Sequence, residues 1–346
     1  MQSQNGARLA VEDVNRVGGV HGRRVALLEY PTGSYFLDAR QAAALAVDAG
    51  ALAIVGSNSS DLSMAIAEVA EARGLVQVSN VSTAQDLTWD PVTGRDRAFV
   101  FRVCSSDVVM GARLATFARD TLGARRAAVL YEVGRTYSAR LARSFVERFR
   151  DPAASRVAAE FFYLALETDF RSQLKQVQAF APEVLFLPGS FTDATLIARQ
   201  GRALGLGATL LGADAWSSPL LFKRGGPAGP AYFLDLCWPP AGFNERYREA
   251  FGQPTQGCRA ALAYDAVRAV EAGLQALGPL RDEDLEAALP GSRRRLRDAL
   301  ANADFKGLTG RVRFDRVGDR RTRMPVLAVE PGPDGPRTRL QSWVGE

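Results

Sequence analysis

Residues 51–72 read ALAIVGSNSSDLSMAIAEVAEA. Leu52–Val55 is a short apolar run of strand length, and Gly56-Ser57-Asn58-Ser59-Ser60 is a polar loop. From Ser60 to Ala72 apolar residues return at helical spacing. Strand, loop and helix in that order make one β-α unit, and the unit recurs in both directions along the chain. Upstream, a helical stripe at Ala7, Ala10, Val11 and Val14 stops at Gly18-Gly19, and a strand is predicted at Val25–Leu28 before an Ala-rich helix at Leu37–Val47. Downstream, strands are predicted at 75–78, 99–103, 127–131, 157–163, 184–187, 210–211 and 232–236. Helices are predicted at 108–122, 138–149, 170–180 and 194–204. After Pro239-Pro240 the pattern gives helices at 243–251, 260–277 and 282–301, then short extended segments at 310–314, 325–329 and 339–344. Repeated β-α units imply parallel sheets covered by helices on both faces. Ligands of such sheets sit beyond the carboxyl ends of the strands.

The 346 residues are too many for one ordinary domain and comfortable for two. Hydrophobic residues make up 47% and charged residues 23%, a globular balance. The net charge of +5 is spread out, and the runs Arg293-Arg294-Arg295 and Arg320-Arg321 read as solvated faces, so no nucleic-acid partner is expected. His21 is the only histidine, which excludes a histidine-rich metal site, and its turn reads as solvent-exposed. Cys104, Cys237 and Cys258 show no CxxC spacing; at most one pair can bridge, and three buried thiols is the reading adopted. No apolar run reaches membrane-spanning length. The opening Met1–Gly6 lacks a signal-peptide hydrophobic region, so the sequence reads as cytosolic or as a truncated exported chain.

The strand-end loops carry the candidate chemistry. Gly56–Ser60, with Ser59 and Ser60 at its end, offers hydroxyls and backbone N–H groups at a helix start, a seat for an anion or equally an ordinary cap. Ser79-Asn80-Val81-Ser82-Thr83 offers the same uncharged groups, or turn chemistry alone. Tyr137 stands at a helix start after the 127–131 strand. Asp214 ends another strand and can pair with an ammonium or cap the residues before Trp216. Asp107, Asp193 and Asp265 read as caps or surface residues. There is no nucleophile elbow, nucleotide phosphate loop or glycosidase-like carboxylate pair, so no enzyme and no cofactor are expected.

Further stretches fall into an ordered set. Gly6–Asn15 is followed by Gly18-Gly19-Val20-His21-Gly22-Arg23, and the two serine loops by Asp86-Leu87-Thr88 and Phe99-Val100-Phe101-Arg102. Tyr137-Ser138, Leu211-Gly212-Ala213-Asp214-Ala215-Trp216, and Gly307–Asp315 with Gly318-Asp319 come later. Together they resemble the type I periplasmic solute-binding proteins of branched-chain amino acid ABC transporters.

The resemblance implies an α/β fold of two doubly wound parallel-sheet lobes joined by three crossovers. Lobe one would be 1–103 plus 239–313 and lobe two 104–238 plus 314–346. It also implies an interlobe cleft for a small amino acid, a permease partner in the membrane, an extracytoplasmic location and a monomer. Ser60 and Thr83 would bind the ligand carboxylate and Val81 would give a backbone contact. Tyr137 and Asp214 would come in as lobe two rotates, with Asp214 on the ammonium; Ser59 and Ser190 complete the candidate set. Two departures stand out. Gly189-Ser190-Phe191 replaces the family's frequent tyrosine, and the first strand of lobe one is missing. The alternative on the same fold is a cytoplasmic sensor that regulates a partner, with an amide or carboxylate ligand.

Overall fold

The computed structural model describes residues 1–151, 154, 156–218, 229–255, 257–285, 288–330 and 337–345. The chain forms two compact units, 1–106 with 239–322 and 107–238 with 323–346, so it passes from one to the other three times.

Unit one begins with helix α1 (Gln2–Arg16), then α2 (Phe36–Asp48), β1 (Ala53–Val55), α3 (Ser60–Arg73) and β2 (Val76–Ser79). A hairpin of β3 (Trp89–Asp90) and β4 (Arg95–Asp96) precedes β5 (Val100–Arg102). Strands β1, β2 and β5 form a parallel sheet in that order. Ala39 and Ala43 of α2 interlock with Ala65 and Ile66 of α3. Small residues on both helices let the axes approach closely, which explains why an Ala-rich stretch forms this layer. After the second crossing, α8 (Ala241–Phe251), α9 (Arg259–Ala276), α10 (Asp282–Leu285) and α11 (Leu289–Ala301) follow. α1 lays Ala7, Ala10 and Val11 on Val267 of α9. A hairpin of β11 (Asp304–Gly307) and β12 (Gly310–Arg313) closes this unit.

Unit two contains α4 (Asp107–Thr116), β6 (Arg126–Glu132), α5 (Thr136–Phe149), β7 (Val157–Tyr163), α6 (Arg171–Phe180), β8 (Val184–Phe186), α7 (Phe191–Ala203), β9 (Thr209–Gly212), β10 (Ala231–Leu234), β13 (Met324–Glu330) and β14 (Arg337–Val344). They make a seven-stranded sheet in the order β14-β13-β10-β9-β8-β6-β7. The order reverses between β6 and β8, the switch point at which an α/β sheet opens a crevice. The core packs Leu130, Leu185, Phe170, Trp216 and Phe233 together.

Several expectations need correction. Val25–Leu28 forms no strand: Leu27 and Leu28 are exposed, and Asn15 brackets Val25 by accepting from its N–H and donating to its carbonyl. Pro290 lies in the first turn of α11, so the predicted helix 282–301 is two helices among the described residues; 286 and 287 lie outside them. β13 and β14 run antiparallel, so the second sheet is mixed. Cys237 and Cys258 are disulfide-bonded, so of the three expected buried thiols only Cys104 stays reduced. Arg293 and Arg320 are buried rather than solvated, and Asp265, far from being a surface residue, is fully buried. Among the described residues no helix is long and apolar enough to cross a membrane.

Candidate functional site

Each unit carries part of the candidate set at the carboxyl ends of its strands. In unit one the loop after β1 and the loop after β2 are stitched into one surface. The Ser57 N–H donates to Ser63 Oγ at 2.8 Å, and Ser63 Oγ lies 2.6 Å from Ser82 Oγ. Ser82 Oγ in turn donates to the Ser57 carbonyl at 3.0 Å. Gln77, inside β2, donates to the carbonyls of Gly56 and Ser63. Asn80 Nδ2 reaches Asn58 Oδ1 at 3.0 Å.

The structure brings Ser60 to the second loop, where its Oγ accepts from the Ala84 N–H at 3.4 Å. Thr83 and Val81 lie in that loop and are buried, whereas Ser59 is exposed as the cap of α3. Ser59 makes no side-chain capping hydrogen bond, so capping does not account for this serine. The first N–H groups of α3 lie beside these hydroxyls, with the exposed Asp61 in the same turn. Asn80 and Ser82 fall within the loop read from the sequence, whereas Ser63 of α3 and Gln77 of β2 lie outside both loops, and their one signal is a polar residue among apolar neighbours.

In unit two, α5 carries Tyr137 in its first turn and β9 delivers Asp214. Tyr137 OH donates to Asp214 Oδ1 at 2.7 Å and accepts from the Ala215 N–H at 3.3 Å. Burial pushes the Tyr137 phenol well above its ordinary pKa, and the Asp214 charge adds to the shift. The phenol therefore remains a neutral donor to a carboxylate. Asp214 is the first residue of a short 3-10 turn, Asp214–Trp216, whose cap position is Ala213. Gly212 is required here because a Cβ would sit 2.1 Å from the buried Trp216 ring.

Ser190 is placed differently. Its Oγ accepts from the Asp193 N–H at 3.2 Å and donates to Asp193 Oδ2 at 2.8 Å, capping α7. Tyr163 OH reaches the same Asp193 oxygen at 3.2 Å. A Cβ at Gly189 would lie 2.4 Å from that phenol oxygen, so Tyr163 fills the space a side chain at 189 would need. Among the described residues no cluster of His, Cys, Asp or Glu could hold a metal ion.

A family model described as periplasmic binding protein matches residues 1–336. The chain belongs to the periplasmic binding protein family. Membership implies an extracytoplasmic solute-binding protein that serves an ABC transporter and catalyses no reaction. A leucine-, isoleucine-, valine-, threonine- and alanine-binding protein of Pseudomonas aeruginosa is 24% identical over 91% of this chain and 81% of its own length. The solved leucine binding protein of Thermotoga maritima superposes with a TM-score of 0.84 at 28% identity, covering 99% of this chain and 93% of that one. A solute-binding protein from R. palustris, solved with benzoate, has a TM-score of 0.78 at 18% identity over 100% of this chain and 92% of that one; at that identity the likeness is one of fold.

Proposed function

We propose that this periplasmic binding protein captures a small aliphatic α-amino acid, branched-chain or similar, and presents it to a membrane permease. The observation that carries the reading is the Tyr137–Asp214 hydrogen bond, which fixes a carboxylate at a strand end of unit two. A half-buried carboxylate at a strand end suits a cationic ligand group. The loops 56–60 and 79–84 of unit one contain no Lys or Arg. They suit an anionic group satisfied by hydroxyls and N–H groups, with Ser60, Thr83 and the backbone at Val81 in that role. An α-amino acid carries both charges.

The names of the Pseudomonas and Thermotoga relatives agree with an aliphatic side chain. That Cys237 and Cys258 are disulfide-bonded favours an oxidising, extracytoplasmic setting over a cytoplasmic sensor. The test is a thermal-shift screen with L-leucine, L-isoleucine, L-valine, 4-methylpentanoate and benzoate. A ligand at a hundred times its Kd stabilises by about 2.7 kcal/mol. Stabilisation by the amino acids alone is expected; stabilisation only by acids without an amino group would overturn the reading.

A further inference from the structure

Unit one buries a charged network that none of the ligand contacts uses. Arg102, the last residue of β5, is fully buried. Its Nε and Nη2 donate to the two carboxylate oxygens of Asp319 at 2.7 and 2.6 Å. Its Nη1 donates to the carbonyl of Ala84 at 2.7 Å, immediately after Thr83. Thr88 Oγ1 completes the group by donating to Asp319 Oδ1 at 2.8 Å.

The neighbours of Arg102 hold the same loop. The Val103 N–H donates to the Ser79 carbonyl at 3.0 Å, and Cys104 Sγ donates to the Ser82 carbonyl at 3.5 Å. A second buried arginine, Arg320, donates to the Val103 carbonyl at 3.1 Å and to Thr309 Oγ1 at 2.7 Å. The segment 102–104 leads to the crossing after Ser106, and Asp319 and Arg320 lead to the crossing after Thr322. The loop that carries Val81 and Thr83 is therefore bonded directly to the segment that leads to the first exit from unit one and, through Arg102, to Asp319 on the segment that leads to the second.

Burying a guanidinium is costly, and apolar packing can stabilise a core equally well. What an arginine adds is a planar fork with fixed directions. Here the fork ties one carbonyl of the loop to one carboxylate of the outgoing segment.

We propose that Arg102, oriented by Asp319, is a positioning residue for ligand binding. It sets the loop 79–84 against the outgoing segments, so that Thr83 and the Val81 backbone stand ready before the ligand arrives. The proposal rests on the reading that these two residues take the ligand carboxylate.

The experiment compares the parent with Arg102→Lys, Asp319→Asn and a control, Leu262→Ala, which loosens the core of the same unit through the fully buried Leu262 of α9. All are full-length and assayed at a temperature where each is folded by near-ultraviolet circular dichroism. Lysine keeps the charge but cannot serve Asp319 and Ala84 together. Ligand-free hydrogen exchange at Thr83 and Ala84 should speed up about ten-fold or more in the clamp variants and stay near the parent rate in the control, the scale of one lost charged hydrogen bond. The Kd for L-leucine should weaken by a similar factor in the clamp variants alone. Parent-like exchange in both clamp variants, or a Kd change no larger than the control's, would overturn the proposal. If Arg102→Lys does not fold, Asp319→Asn decides. A parent that fails to bind L-leucine counts against the ligand reading, and the exchange comparison then judges the clamp by itself.

Discussion

Tyr137→Phe removes one oxygen and leaves the ring. That oxygen donates to Asp214 at 2.7 Å and accepts from Ala215 at 3.3 Å. The first bond is short and charge-assisted, a class worth roughly 1.5–3 kcal/mol. Asp214 is only half-buried, so water recovers part of the loss and the lower end applies. If Asp214 holds the ligand ammonium, about 1.5 kcal/mol of orientation is lost, or roughly ten-fold in the Kd for L-leucine. The ring stays, so no cavity opens, and the lost hydrogen bond alone should lower the unfolding midpoint by about a few degrees. Isothermal titration of parent and variant with L-leucine, and with 4-methylpentanoate as the analogue lacking the amino group, separates the effects. Leucine binding should weaken about ten-fold while the analogue, weak in both, is unchanged. Equal losses for both ligands, or an unchanged leucine affinity, would refute the reasoning.

Ser60→Ala should weaken leucine binding by about 1–3 kcal/mol, the usual result of leaving a carboxylate one donor short, with little change in melting because alanine suits the first turn of α3; calorimetry with a melting curve checks both. Gly212→Ala drives a Cβ into the buried Trp216 ring and should destabilise by about 1–3 kcal/mol, read as a lower denaturation midpoint. At alkaline pH the phenols of Tyr137 and Tyr163 are pushed up by burial and then by their aspartates, and Tyr264 is pushed up to about 12 by burial and Asp13. Raised folded-state values mean that the stability they contribute is complete below the unfolded value of about 10 and is lost as pH climbs through the folded values. Ultraviolet titration should show these phenols ionising after the exposed ones; a single wave near pH 10 would contradict this.

The fold was legible because each β-α unit is local. The apolar run at 52–55, its polar loop and the stripe of α3 lie within about twenty residues, and periodicity reads such distances well. What failed was long-range. Val25–Leu28 has the composition of a strand, yet a strand exists only through pairing, and the run itself does not specify a partner. Asp304–Gly307 was missed because it is polar; it pairs with β12 around a turn whose Leu308 and Thr309 N–H groups donate to Asp265, some forty residues earlier. The same distance hid the burial of Asp265, Arg102 and Arg320, whose charges are compensated by residues remote in sequence. The oxidised state of Cys237 and Cys258 is likewise a spatial fact that spacing does not encode. In the candidate site the loops and Asp214 were visible as polar strand ends, but the serine lattice of Ser57, Ser63 and Ser82 joins two loops and emerges only once they are folded together.

The proposed function turns on Asp214, whose carboxylate would grip the ammonium of an amino acid. Isothermal titration of Asp214→Asn with L-leucine tests it most directly. The substitution keeps shape and removes the charge, so a loss of about 2–3 kcal/mol is expected, some 30- to 150-fold in Kd. Leucine binding at the parent affinity in that variant would contradict it.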